Sequence, residues 1–234
     1  MDEGAQGTPY GVSFQGDHHL PTALTRATAR KLGSRARLSR HRILEAALTL
    51  VDREGAVALS MRRLGQELGV EAMSLYSYIA GRDELLDGLS EVMVGALPRR
   101  AAEVDWRRSI QALAHSIRNT AKKHPQAFLL VGTRPLRTGN ALVPVDAMLS
   151  ALMAAGLSAP EAVSVYRMVV SYARGFALAE IEGFTLDTDV STPLATTHPS
   201  VEAARATPGA LDHDMAFASG LETMLAGLTQ RYCP

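Results

Sequence analysis

At 234 residues and 47% hydrophobic content, the chain can bury one sizeable core or two modest ones. It holds no run of about eighteen apolar residues that would span a membrane and no apolar signal core near its start. Its single cysteine, Cys233, fits a reducing cytoplasm and excludes both an intrachain disulfide and a cysteine-built zinc site. Net charge is zero but unevenly spread: eleven Lys and Arg face five Asp and Glu between His18 and Arg82, against thirteen and sixteen from Asp83 onward. Between Arg26 and Arg42 there are seven basic residues and no acid. A basic N-terminal third on an acidic remainder is the footprint of a nucleic-acid module joined to something else.

Abundant Ala, rare β-branched runs and 5% aromatics predict an all-α chain. Residues 1–37 lack an apolar period and read as a disordered arm, with Arg26, Arg30, Lys31, Arg35 and Arg37 as its basic residues. Two readings stay open for it: an arm that follows the phosphates or enters a minor groove, or an unstructured extension. Ser39 caps a first helix whose Ile43, Leu44, Ala47, Leu48 and Val51 form an apolar stripe ending at Gly55. Ser60 caps a second, with Met61, Leu64 and Leu68 inward and Arg62, Arg63 and Gln66 outward. Gly69 stops that helix in a left-handed turn and Val70 plugs the corner. A third helix follows over residues 71–78 and presents Met73, Ser74, Tyr76 and Tyr78 to base edges and phosphates. This helix–turn–helix is the sharpest motif in the chain.

Ala80-Gly81 turns into a fourth helix over residues 83–97, with acids in its first turn and an apolar face that Pro98 breaks. Asp105 caps the next helix. Pro125 then opens a short apolar segment, Phe128 to Val131, closed by Gly132-Thr-Arg-Pro135. A helix over residues 140–155 follows, and Ser158-Ala-Pro-Glu161 is a capping box that starts a long helix ending at Glu182. Residues 183–208 read as an exposed loop with a helical turn near 201–205, and a last helix covers residues 212–231. The long helix has apolar or small residues on nearly every face, which suits either a central core helix or a subunit interface.

Four strings resemble the tetracycline-repressor (TetR) family of transcriptional regulators: Ile43-Leu-Glu-Ala-Ala-Leu-x-Leu-Val51, Leu59-Ser-Met-Arg-Arg-Leu-Gly-Gln-Glu-Leu-Gly-Val70, Ser74-Leu-Tyr76 and Arg82-Asp-Glu-Leu-Leu86. Asp105-Trp106, His124, Gly132-Thr-Arg-Pro135 and Gly175-Phe-Ala-Leu178 extend the likeness toward the tetracycline repressors themselves. The resemblance implies a three-helix DNA-binding head (38–82), a connecting helix (83–97) and a helical ligand-binding and dimerisation domain (83–234). It also implies a homodimer whose last two long helices pair with those of a second subunit.

For DNA contact, the resemblance together with the helix reading singles out Arg40, Arg62, Ala72, Met73, Ser74, Tyr76, Ser77, Tyr78 and Arg82. Ala72 and Met73 cannot make bidentate base contacts, so readout there would use thymine methyls or DNA shape. For Arg62 and Arg82 the bland alternative is a solvated helix surface, and the Tyr76 ring can double as packing.

On the ligand side the chain departs from the tetracycline repressors, which hold a magnesium–tetracycline chelate. Aligning the Gly-Thr-Arg-Pro strings puts Leu130 at the position of a magnesium-binding histidine and Pro98 at another histidine. The acidic position falls on Ala179, or on Glu180 with a one-residue shift, and polar drug contacts become Leu113 and Asp146. Leu and Pro offer a hard cation nothing, so no metal or other cofactor is expected. The expected wall is Leu113, Ile117, Phe128, Leu130, Arg134, Leu142, Met148, Leu152, Tyr172 and Phe176, with roughly half lining a pocket and the rest core. Such a wall suits a largely apolar, aromatic effector. No zinc pair, nucleophile elbow, P-loop or dinucleotide fingerprint points to an enzyme. The expectation is therefore a cytoplasmic repressor that leaves its palindromic operator when a hydrophobic effector binds. The alternative is a ligand-independent DNA-binding regulator or activator.

Overall fold

The computed structural model describes residues 38–95, 105–184, 186, 197–209 and 211–232; the expected basic arm, Pro98 and Cys233 lie outside them. Every regular element among these residues is helical. They are α1 (Arg40–Glu54), α2 (Met61–Leu68), α3 (Ala72–Leu75), α4 (Arg82–Gly95), α5 (Trp106–Lys123), α6 (Pro125–Val131), α7 (Gly139–Ala154), α8 (Ala159–Glu182), α9 (Pro199–Ala206) and α10 (His213–Tyr232), with a single 3-10 turn at Ala56–Ala58.

The starts are set by side-chain caps. Ser39 accepts from the Arg42 amide at 3.3 Å, Ser60 from Arg63 at 3.2 Å, Asp105 from Arg107 at 2.9 Å and Thr138 from Ala141 at 3.3 Å. Each satisfies one of the orphan amides of a first turn. At α8 the Glu161 carboxylate accepts from the Ser158 amide at 2.8 Å and the Ser158 hydroxyl at 2.6 Å, the reach-back of a capping box. Gly69 ends α2 at φ 68°, a left-handed position that costs glycine no Cβ clash.

Three elements differ from expectation. α3 is helical only over 72–75; residues 76–79 continue as hydrogen-bonded turns, with the amides of both Tyr78 and Ile79 donating to the Leu75 carbonyl at 3.0 Å. The segment after Pro125 is a seven-residue helix with that proline in its first turn. The loop before the last helix carries an eight-residue helix, α9, with no buried residue.

One buried core runs from Ile43 through Leu89, Ile117 and Val169 to Leu228. α1 packs on α2, α4 and α6, and α5 lies along α8. α4 and α6 therefore touch both the head and the body, which sets up the site below.

Candidate DNA-reading head and effector cavity

The head is a close approach of two short helices. A Cβ on Gly65 would stand 2.9 Å from the Val70 carbonyl and 3.2 Å from the Ala72 amide, so α2 and the start of α3 meet where only glycine fits. Leu64, Leu75 and Ile79 are buried beneath. That leaves Met73 at 73% exposure, Tyr76 at 45%, and Ser74, Ser77 and Tyr78 also facing out. Ala72 is half-buried at the turn.

The cations around this face divide sharply. Arg53 and Arg63 are locked with Glu54 and Glu67: Arg53 Nη2 lies 2.8 Å from each of Glu54 and Glu67, and Arg63 Nε donates to Glu54 at 3.1 Å. Hydrogen bonds first from Arg63 and then from Arg53 pull the Glu54 carboxyl down to about 2. Arg62, between them in sequence, is exposed and makes no ion pair or side-chain hydrogen bond among the described residues. The other two candidate arginines are engaged within the protein. Arg40 donates to Glu91 on α4 at 3.0 Å, and Arg82 donates to the Leu59 carbonyl at 2.6 Å. Both brace the head, so of the three arginines expected at DNA, Arg62 alone is unengaged.

Beneath the head, α4, α5 and α6 enclose a cavity of about 40 Å³ walled by Ser90, Met93, Val94, Ile117, Thr120, Phe128, Val131, Gly132, Arg134, Leu136 and Arg174. A smaller one of about 10 Å³ adjoins it between α5, α7 and α8, sharing Val94, Ile117, Leu136 and Arg174 and adding Leu113, Pro144, Val145, Tyr166 and Val170. Of the expected wall, Leu113, Ile117, Phe128 and Arg134 come together here. The other six lie elsewhere. Leu152 and Met148 are buried in core packing, Leu142 is 48% exposed and Leu130 sits half-buried on α6. Tyr172 and Phe176 join Phe217 in an aromatic cluster with ring centroids 5.1–6.0 Å apart, and the Tyr172 hydroxyl donates to the Phe217 carbonyl at 2.8 Å. A wider, more open groove of about 510 Å³ between α1, α4 and α5 mixes Leu48, Val92 and Met93 with His41, Glu45, Asn119, Lys123 and His124, a more charged lining than that of the cavity.

Arg134 lines the cavity while its guanidinium donates to Asp87 of α4 at 2.8 Å and 3.1 Å. α6 reaches the head as well: His124, its cap residue, pairs with Asp52 of α1 at 2.6 Å. The second Asp52 oxygen is buried without a partner. The sequence reading missed most of the rest of the wall, including Met93, Val94, Leu136 and the polar Tyr166 and Arg174. The signal for Arg174 was a basic residue set between the small and apolar residues Ala173 and Phe176 of α8.

Residues 43–89 match the family model described as bacterial regulatory proteins of the tetR family, and residues 97–232 match the tetracyclin repressor-like C-terminal domain. The chain belongs to the TetR family. It is 31% identical over 206 residues to the tetracycline repressor protein class A from transposon 1721 of Escherichia coli, covering 83% of this chain and 92% of that one. It is 32% identical over 151 residues to the HTH-type transcriptional repressor DrrR1 of Streptomyces coeruleorubidus, covering 64% of this chain and 56% of that protein. It thus spans little more than half of that relative's length. Among solved structures, apo ActR from Streptomyces coelicolor superposes with a TM-score of 0.70 at 29% identity, covering 82% of this chain and 94% of that one. A second ActR structure, in complex with actinorhodin, superposes equally well at 27% identity, covering 85% of this chain and 98% of that one.

Within the TetR frame, the positions that the alignment relates to magnesium binding hold no exposed ligand. Leu130 is aliphatic, and Glu180 is occupied by the Arg118 guanidinium at 2.7 Å and 2.6 Å. Among the described residues no group of three His, Cys, Asp or Glu side chains is placed to hold a metal ion. No described helix is long and apolar enough to cross a membrane.

Proposed function

We propose that this TetR-family chain is a cytoplasmic, ligand-responsive transcriptional repressor. It binds a palindromic operator as a homodimer and lets go when a small aromatic effector fills the cavity between α4, α5, α6 and α8. The observation that carries the reading is the shared wall: α4 and α6 line the cavity and also pack on α1 of the head. Whatever parts those walls moves the helices on which the reading face is mounted.

The cavity, about 40 Å³, is an order of magnitude smaller than the roughly 300–1,000 Å³ typical of ligand sites. An effector must therefore push Phe128, Val131 and Met93 outward, and its binding energy is spent on one head arrangement over another. On the DNA side, Arg62 and the Tyr76 hydroxyl supply phosphate or base-edge contacts, while Met73 and Ala72 offer only apolar contact. A half-site read by so few groups gains specificity by being read twice, which a two-fold dimer does. The outward face of α8 carries Ser164, Arg167, Met168, Ser171 and Gly175, and that of α10 Ala218, Glu222, Ala226 and Gly227, mostly small side chains with one charge on each. They suit helix-to-helix contact with a second subunit.

Selection from random duplex DNA followed by sedimentation of the complex tests this. The expected result is an inverted repeat bound by two chains, with affinity falling steeply with salt as counterions are released. Arg62→Ala and Tyr76→Ala should each weaken binding about tenfold or more while leaving the melting temperature in place. A selection that enriches no repeat, or a chain that sediments as a monomer at micromolar concentration on its operator, would refute the proposal. Tetracycline with magnesium should not release the operator, because Leu130 and the occupied Glu180 leave the cation's charge uncompensated.

A further inference from the structure

Two arginines of the body, Arg118 buried and Arg174 half-buried, have opposite surroundings. Arg118 on α5 is neutralised by Glu180 and, at 2.7 Å, by Asp214. Arg174 on α8 lines both cavities, yet it makes no ion pair and no hydrogen bond among the described residues. The acids nearest on α4 and α8 are committed elsewhere, Asp87 to Arg134, Glu91 to Arg40 and Asn140, and Glu180 to Arg118, while Asp146 of α7 faces solvent. Among the described residues the Tyr166 phenol, two turns back on the same face of α8, bears on Arg174 electrostatically.

A guanidinium drawn partly out of water without a counter-charge carries a desolvation cost, and charged groups in such places are usually paired. Its planar fork matches a carboxylate through two parallel hydrogen bonds. Around it the walls are hydrocarbon, from Val94, Leu113, Ile117, Leu136 and Val170. Arg134, the other guanidinium in the cavity, is already balanced by Asp87, so Arg174 sets the sign of the site.

We propose that the effector is an aromatic acid whose carboxylate is received by Arg174, with the Tyr166 hydroxyl as a second donor and its rings among the aliphatic walls. This rests on the effector-cavity reading above and narrows it from apolar molecules to anionic ones. Burial keeps the Tyr166 phenol neutral, hence a donor, well past neutral pH.

The test uses the full-length protein and aromatic carboxylates of one to three rings, each paired with its primary amide, by calorimetry at neutral pH. Wild type should bind an acid about ten- to a hundredfold more tightly than its amide, the range for hydrogen bonds between charged partners. Arg174→Gln should abolish that preference while binding the amide about as well as wild type, and Arg174→Lys should keep part of it. Tyr166→Phe should reduce affinity for acids more than for amides. Equal binding of acids and amides by wild type, or an acid preference that survives in Arg174→Gln, overturns the anionic subsite and leaves the effector cavity standing. Failure of every acid and every amide to bind removes the cavity as an effector site, and this proposal with it.

Discussion

Replacing Arg118 with methionine is the most exacting test of how the body is held together. The Arg118 side chain is only 6% exposed and forms a two-pronged bond to Glu180, itself 13% exposed. Its guanidinium also lies over the rings of Phe217 and Phe176, 4.9 Å and 5.4 Å from their centroids. The Asp214 contact, 76% exposed on the acid side, adds little because water screens it. Methionine keeps the hydrophobic stem but strands the Glu180 carboxylate, and breaking a buried pair in this way costs roughly 3–5 kcal/mol. Lys122 at 3.6 Å and His213 at 3.8 Å remain near Glu180 and pull the value toward the lower end. At about 2–4 °C per kcal/mol for a chain of this size, about 3 kcal/mol is a fall of roughly 6–12 °C in melting temperature.

Calorimetry at fixed protein concentration measures the fall, and Arg118→Met/Glu180→Leu should recover part of it because no charge is then left alone. Hydrogen bonds from Arg118 hold the Glu180 carboxyl below its ordinary range against the opposing effect of burial. The stability this pair contributes is therefore full above the unfolded carboxylate value of about 4.3 and is lost as pH falls through the lower folded value. The gap between wild type and Arg118→Met should close in that acid window. A single variant that melts within about 2 °C of wild type, or a double variant as unstable as the single, refutes the argument.

Gly65→Ala should separate α2 from α3 and lower both stability, by about 1–3 kcal/mol, and operator affinity, measured by melting and by fluorescence anisotropy. Arg134→Ala, which leaves half-buried Asp87 unpaired, should cost about 1 kcal/mol after solvent screening and raise the effector concentration needed for operator release in a titration. Arg174→Met should melt about 2–6 °C higher than wild type in the absence of effector, since an unpaired charge is exchanged for hydrocarbon. Glu54→Gln should weaken the α1–α2 brace and flatten the acid limb of the stability curve between about pH 4.3 and the folded value of about 2, the window in which the carboxyl loses its stabilising charge.

The elements that local chemistry dictates were legible in the sequence. Ser39, Ser60, Asp105 and Ser158 announce α1, α2, α5 and α8, and an i, i+4 apolar stripe carries each onward. α3 was legible in kind but not in extent. Four residues are far below the length at which a helix stands alone, so its end is set by how Leu75 and Ile79 bury themselves. The cavity wall was half legible. Apolar spacing cannot tell a residue that faces a cavity from one that faces a ring, and Tyr172 is drawn off by a carbonyl 45 residues away. Arg174 could be seen in the sequence as a basic residue in an apolar run. That it has no ion-pair partner among the described residues is a fact of three dimensions, because only the packing shows that Asp87, Glu91 and Glu180 are spent on other groups.

α6 has a consequence for the distance a signal must travel. Its side chains Phe128 and Val131 form the cavity wall, and its cap, His124, holds Asp52 of the head. Those two ends are about one helical turn apart, roughly 6 Å. A rod that short does not flex, so a molecule that displaces Phe128 displaces His124 by nearly the same amount. The Asp52 carboxylate is half-satisfied already, one oxygen bonded and the other orphaned. When that bond slips the carboxylate is left with no side-chain partner, so the head is sensitive to a small shift of His124. The protein thus sets a rigid strut against a single catch, and the catch lies on the head side.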